Sequence, residues 1–241
     1  MRFSQTLISG RLIKRYKRFL ADIRLDSGEI ITAHTPNTGS MKGLTAPDNR
    51  VYLFHHQKSS RKMPFAWEIV EVDGVKVGIN THLPNRLVEE GIENGVIGEL
   101  QGYEQIQREK NYGKNSRIDL LLCGAEGERC FVEVKNVTLV EGSVAYFPDA
   151  VTERGVKHLG ELSRMVQGGH RAVLCYVLQR SDGSWIAPAD HIDPDYGAAL
   201  RQAVKKGVEV IGYRAKVGLE EIRLVQTVPI RLSANSIVGA A

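Results

Sequence analysis

Hydrophobic and polar residues alternate along much of the first eighty positions. From Arg18 to Leu25, Phe19, Ala21, Ile23 and Leu25 fall on one face and Arg18, Asp22 and Arg24 on the other. A period of two is the mark of a half-buried strand. Asp26-Ser27-Gly28 reads as a turn, and Ile30, Thr32 and His34 resume the alternation. Val51 to His55 predicts another strand. Glu68–Val72 and Val75–Ile79 predict a hairpin around Asp73-Gly74, a pair that accepts the positive φ angles of a tight turn. Five or more short strands with no helix between them predict a small closed barrel of the oligonucleotide-binding (OB) kind.

After Asn80 the period changes. Leu83, Leu87, Val88 and Ile92 predict a short helix whose exposed side carries Glu89, Glu90 and Glu93. Strand patterns follow at 100–109, 117–123 and 129–138. Val156, Leu159, Leu162, Met165 and Val166 mark an amphipathic helix stopped by Gly168-Gly169. Residues 171–179 read as a buried strand. Asp193 as N-cap and Pro194 in the first turn open a helix that runs to Gly207. Strands are expected at 208–213 and 222–228. This order predicts a mixed α/β sandwich, so the chain divides into a barrel over 1–80 and an α/β domain over 81–241.

Charge sharpens that division. The net charge is +4 over 241 residues, but residues 1–80 hold 13 Lys/Arg against 7 Asp/Glu, and the remainder 19 against 21. Residues 1–20 contain Arg2, Arg11, Lys14, Arg15, Lys17 and Arg18 and no acid. Lys58, Arg61 and Lys62 form a second basic segment, and Tyr16, Phe19, Tyr52, Phe54, Phe65 and Trp67 are interleaved with the two. Cations with stacking rings are what a single-stranded nucleic acid binder uses, although each ring taken singly fits a core position better. The Pro-, Asn- and Gly-bearing run Thr35 to Met41 reads as an anion-binding nest of N–H groups or as a tight connection. The composition, 42% hydrophobic and 25% charged, excludes a disordered chain or a membrane bundle. Cys123, Cys130 and Cys175 each lie in an apolar run with no CxxC spacing, which predicts reduced core thiols and a cytoplasmic protein without a zinc site. The longest uncharged apolar stretch, Ala172 to Leu178, is too short to span a membrane.

The informative chemistry lies in Arg117-Ile118-Asp119-Leu120-Leu121-Leu122 and Phe131-Val132-Glu133-Val134-Lys135-Asn136. On paired strands Asp119, Glu133 and Lys135 converge. Charges within apolar strands are costly unless paired or bound to metal. Two carboxylates suit Mg²⁺, with Mn²⁺ as a substitute, and the adjacent ammonium can stabilise charge on a phosphate. Asp119 and Glu133 are therefore the candidate metal ligands, and Asp119, Glu133 and Lys135 the candidate catalytic set. An Asp followed by (D/E)-x-K on the next strand resembles the PD-(D/E)xK nuclease core. A buried ion cluster is the alternative.

Arg154, Lys157, His158 and Glu161 form a polar stripe on the following helix, placed to meet phosphates or water. Asp149 reads as a turn or cap residue, with metal ligation as the alternative. Helix capping accounts for most of the cluster Asp190, His191, Asp193 and Asp195. A helix-turn-helix beginning at 152–167 meets a β-like segment where a recognition helix is needed.

Pro36-Asn37-Thr38-Gly39-Ser40-Met41, Arg117 to Leu121, Phe131 to Asn136, Phe147 to Gly155 and Lys157-His158-Leu159 together resemble the SfsA family of sugar fermentation stimulation proteins. The resemblance covers essentially the whole chain. It implies an N-terminal OB-like β-barrel followed by a PD-(D/E)xK restriction-endonuclease-like α/β domain. It also implies largely non-sequence-specific DNA binding and regulation of maltose and other sugar-utilisation genes, with Asp119, Glu133 and Lys135 at the positions of the nuclease motif. The expected partner is DNA, with RNA as the alternative. Arg11, Lys14, Arg15, Lys17, Arg18, Lys58, Arg61, Lys62, Arg154, Lys157 and His158 are the expected contacts. An active Mg²⁺-dependent nuclease, cleaving DNA or RNA, is the second functional expectation.

Overall fold

The computed structural model describes residues 1–57, 63–113 and 116–233, and the backbone of 236–238. Six strands come first: β1 (Ile8–Tyr16), β2 (Leu20–Leu25), β3 (Ile30–His34), β4 (Arg50–His55), β5 (Phe65–Val72) and β6 (Val75–Gly78). They are ordered β3-β2-β1-β4-β5-β6, and a parallel contact of His34 with Ala66 joins β3 to β5. Five strands thereby close into an OB barrel with β6 on its flank. The alternation in β2 is obeyed, with Ala21, Ile23 and Leu25 buried. Asp73 and Gly74 take φ of 50° and 77°, the double left-handed conformation of the hairpin turn.

β1 differs from the expectation of a basic segment over 11–18. It is a central strand, paired to both β2 and β4, with a register shift between Leu12 and Lys14 that breaks the period of two. Gly10 allows its close approach: a Cβ there would lie 2.6 Å from the Arg24 carbonyl oxygen. The aromatics divide as packing requires. Trp67 and Tyr52 are buried, with the Trp67 indole N–H donating to the Ile69 carbonyl, while Phe19 is exposed.

The second half contains α1 (Leu83–Glu93), β7 (Gln105–Tyr112), β8 (Ser116–Cys123), β9 (Arg129–Val137), β10 (Leu139–Glu141), β11 (Val144–Phe147) and α2 (Glu153–Gln167). These are followed by β12 (Arg171–Leu178), β13 (Trp185–Pro188), α3 (Pro194–Lys205), β14 (Glu209–Val217), β15 (Ile222–Thr227), β16 (Ile230–Ser233) and β17 (Ser236–Val238). The main sheet is ordered β15-β14-β12-β9-β8-β7, with β12 parallel to β9 and β14 at its centre. That central strand occupies the place where a helix-turn-helix would need its recognition helix.

Helix α1 lays Leu87, Val88 and Ile92 on one face of this sheet, in a core with Leu120, Leu122, Val132 and Val134. Helices α2 and α3 cover the other face through Leu159, Leu162, Leu200 and Ala203, with Phe131, Leu174 and Tyr176. Asp193 caps α3 as expected, accepting from the Tyr196 N–H at 3.0 Å, and Thr152 caps α2, accepting from the Gly155 N–H at 3.0 Å.

Two local expectations change. The strand expected at 100–109 begins at Gln105, because Gly98–Leu100 forms a 3₁₀ turn. Glu89 and Glu90 are half-buried rather than exposed, since Glu89 pairs with Arg108 and Glu90 with the amino terminus. Strands of three and four residues make a second sheet, β10-β11-β13-β16-β17. No helix among the described residues is long and apolar enough to cross a membrane.

Candidate nucleic-acid and metal site

The site grows out of the place where β8 and β9 separate. Their ladder runs from Cys123 opposite Arg129 to Leu120 opposite Val132. One step further the same register brings Asp119 to Glu133. There the Asp119 Oδ2 accepts from the Val134 N–H at 2.8 Å, a carboxylate in the place of a ladder carbonyl. Asp119 Oδ1 accepts from Asn85 of α1, also at 2.8 Å. Burial, with the Glu133 charge beside it, pushes the Asp119 carboxyl up to about 6, against the opposing pull of those hydrogen bonds and Lys135.

Glu133 is 2% exposed. Burial raises its pKa, but Lys135 and His158 more than offset this and hold the carboxyl below its ordinary range. Lys135 Nζ donates to Oε1 at 2.6 Å, and His158 Nδ1 reaches the same oxygen. The other His158 nitrogen, Nε2, accepts from Arg154 Nε at 3.3 Å, which assigns the proton to Nδ1. Both donors therefore converge on Oε1. Oε2 is buried and has no hydrogen-bond partner among the described residues. An ionised oxygen in that state needs a cation or a donor.

The donor set is hard oxygen, which suits Mg²⁺, Mn²⁺ or Ca²⁺. Asp119 and Glu133 are the residues able to hold such an ion. Among the described residues no group of three His, Cys, Asp or Glu side chains gathers into a metal cluster. Two carboxylates match the usual Mg²⁺ arrangement, in which waters and phosphate oxygens complete the shell.

The sequence-derived stripe on α2 is split. His158 and Glu161 turn into the protein, 5% and 0% exposed, whereas Arg154 and Lys157 face outward. His158 is consequently packed on Glu133 rather than presented as a surface contact. Arg154, Lys157 and His158 line a depression of about 710 Å³ with Arg117, Glu109 and Glu153. Glu153 and Arg154 also border a second one of about 780 Å³, lined on the barrel side by Arg15, Arg18, Gly39 and Ser40. The two depressions share Glu153 and Arg154, and His158, which touches Glu133, lines the first of them.

The remaining barrel cations behave differently from one another. Arg18 and Lys17 sit in the β1–β2 turn with φ of 65° and 50°, both exposed. Arg15 is committed to its own domain: its terminal nitrogens donate to the carbonyls of Arg18, Asn37, Gly39 and Ser40. Arg11 donates to the Asp48 carbonyl at 2.8 Å, and Lys14 lies 3.5 Å from Asp22. Lys58, Arg61 and Lys62 lie outside the described residues.

The 36–41 loop does bind an anion, but an internal one. Asp149 Oδ2 accepts from the Met41 N–H and the Ser40 hydroxyl, both at 2.9 Å, which ties the barrel to the α/β domain. Among the acidic cluster, Asp193 caps α3, Asp190 pairs with Arg201 and His191 with Glu141. Asn85 was not visible as a site residue in the sequence, because its role depends on α1 packing beside β8.

Two family models match the chain: one described as the SfsA N-terminal OB domain over residues 13–79, and one as the sugar fermentation stimulation protein RE domain over residues 82–221. A sugar fermentation stimulation protein homolog of Geotalea uraniireducens is 57% identical over 226 residues, 94% of this chain and 97% of its own. The homolog of Geobacter sulfurreducens is 59% identical over 224 residues, 93% and 96% of the two chains. A solved structure, Pyrococcus furiosus SfsA in complex with Ca²⁺, superposes with a TM-score of 0.87 at 28% identity, covering 96% of this chain and 98% of that one.

Proposed function

The chain belongs to the SfsA family of sugar fermentation stimulation proteins, and from that premise we propose that it binds DNA, largely without sequence preference, along the groove between its barrel and its α/β domain. One observation carries this reading: the depression bordered by Arg18 of the barrel and the one bordered by Arg117 and Lys157 of the α/β domain meet at Arg154. Cations spaced along one groove and drawn from both halves of a chain fit a phosphate backbone. The domain division at residue 80 belongs to the same proposal, each half supplying one wall. Regulation of maltose and other sugar-utilisation genes, implied by the family resemblance, would act through this binding. Buried, unreactive Cys130 and Cys175 fit a cytoplasmic setting.

Fluorescence anisotropy with labelled DNA and RNA tests the reading. The Arg18→Ala, Arg154→Ala double variant should weaken DNA binding about tenfold. Affinity indifferent both to this change and to added salt would contradict it.

The unpartnered Glu133 Oε2 favours a second activity at the same groove, Mg²⁺-dependent hydrolysis of phosphodiester bonds. Asp119 and Glu133 would hold the ion, and the complex of Pyrococcus furiosus SfsA with Ca²⁺ supports divalent-ion binding by a chain of this fold. When bound, the ion polarises the phosphate and acidifies a water. Asn85 and the Val134 N–H fix both Asp119 oxygens. His158 and Lys135 fix Glu133 Oε1, so that Oε2 remains for ligation. The Lys135 ammonium stands ready to offset charge developing on the attacked phosphate. Arg154 holds the His158 ring from its far side. Incubation with DNA and RNA in Mg²⁺ or Mn²⁺ tests this activity, and cleavage that survives the Asp119→Ala, Glu133→Ala change would point to a contaminant.

A further inference from the structure

A smaller cavity of about 240 Å³ opens beside the groove, between the barrel's 36–41 loop and β9. Thr38 and Gly39 border both it and the groove. We propose that this cavity receives a single nucleobase swung out of the bound strand, a reading that rests on the DNA-binding proposal above.

Its chemistry selects the ligand class. No Lys or Arg lines it, and the charge it carries is the carboxylate of Asp149. A phosphate would be repelled there, whereas a neutral ring with N–H donors would be welcomed. Asp149 Oδ2 is already taken by Ser40 and Met41, which leaves Oδ1 as the acceptor.

Two amides are oriented by outside partners in opposite senses. Asn85 spends its Nδ2 on Asp119, so its oxygen is left as an acceptor. Asn136 accepts from Gln179 Nε2 at 2.8 Å with its oxygen, so its Nδ2 is left as a donor. Thr138 and the aromatic Tyr146 and Phe147 also line it. Tyr146 stands edge-on to His191 at 5.0 Å, which fixes its ring. Acceptors and a donor beside an aromatic wall are the means by which enzymes read an extruded base. The volume lies below the usual range for drug-sized ligands, which suits one planar heterocycle.

Position supports the same assignment. Asn85 touches Asp119 on one side and lines the cavity on the other. A strand with a phosphate at the carboxylates therefore has an adjoining base within reach of the cavity. The barrel loop then has two tasks: bridging the domains through Asp149 and forming the cavity rim.

The test compares two single strands of about twelve residues, an oligodeoxycytidylate and an abasic strand with the same sugar-phosphate chain, by anisotropy on the full chain without added metal. The wild type should bind the base-bearing strand about tenfold more tightly than the abasic one. Thr38→Trp, which places a bulky ring at the exposed rim, and Asn136→Ala, which removes the donor, should each bring that ratio towards one. Asn136 lines the cavity and not the groove, so Asn136→Ala should leave the affinity for the abasic strand unchanged. Equal wild-type affinities for the two strands, or a ratio unchanged in both variants, would overturn the cavity assignment while leaving DNA binding intact. Failure to bind either strand would overturn the parent reading and this one with it.

Discussion

Two buried glutamates, one in each half of the molecule, have opposite fates. Glu68, on β5 of the barrel, is 6% exposed and accepts one hydrogen bond, from Asn80 Nδ2 at 2.8 Å. Burial dominates there, and its carboxyl titrates above the ordinary range. Glu133, on β9, is buried even more deeply, yet Lys135 and His158 keep it below that range. Burial alone produces a carboxyl that tends to neutrality. Burial with two donors on one oxygen produces a carboxylate whose other oxygen is held charged and unpartnered. The second arrangement leaves a buried charged oxygen that a bound cation would satisfy. That oxygen is the physical argument for a functional site in the α/β domain and for a structural role at Glu68.

The widest separation between the two should appear in catalysis. Asp119→Ala with Glu133→Ala should lower Mg²⁺-dependent cleavage by about 10³-fold or more, while Glu68→Gln leaves the rate within about twofold. Gel assays on the purified variants read this directly. A comparable loss in Glu68→Gln would dissolve the distinction.

Stability comes next. Glu133→Gln strands the Lys135 ammonium, which is 15% exposed at its side chain, and should cost about 3 kcal/mol in urea unfolding at pH 7. The sign follows from the lowered pKa: the Glu133 contribution is present above its unfolded value and is lost as the pH falls through the folded one. Glu68 has the reverse sign. Its ionised form is the costly one, so Glu68→Gln should be neutral near pH 4 and stabilising at pH 8, by about 1 kcal/mol at most.

Binding should not follow either glutamate. With about four phosphate contacts along the groove, affinity for duplex DNA should fall about 100-fold between 50 and 200 mM salt. The double carboxylate variant should show the same slope. A steeper or shallower slope in that variant would mean that the carboxylates also carry binding.

The smallest effect is a pH dependence. Asp119 must be ionised to hold a cation, and its pKa lies at about 6. Divalent-ion affinity should therefore be level above pH 7 and fall about tenfold per unit below 6. Calorimetric titrations at several pH values would measure it.

Much of this was legible in the chain. The alternation of Ala21, Ile23 and Leu25, the Asp73-Gly74 turn and the Asp193-Pro194 helix start each state their structure locally, since turn and cap chemistry need no distant partner. The convergence of Asp119, Glu133 and Lys135 was legible because period two fixes which side chains share a face. β1 was hidden by its bulge, and β10, β11 and β13 by their shortness, since a period cannot be read from three or four residues. Asn85, Asp149 and the inward turn of His158 depend on contacts across elements. Arg15 shows the same limit from the other side: a cation in a basic run reads as a phosphate contact until its carbonyl partners are seen.

The account stands on Glu133 Oε2 as a ligand atom, so the most direct test is Mn²⁺ binding to the metal-free full chain at pH 7.5, followed by electron paramagnetic resonance. The wild type and Glu68→Gln should each take up the ion at the carboxylate site, and Glu133→Gln should lose that uptake. Undiminished binding by Glu133→Gln would contradict the account.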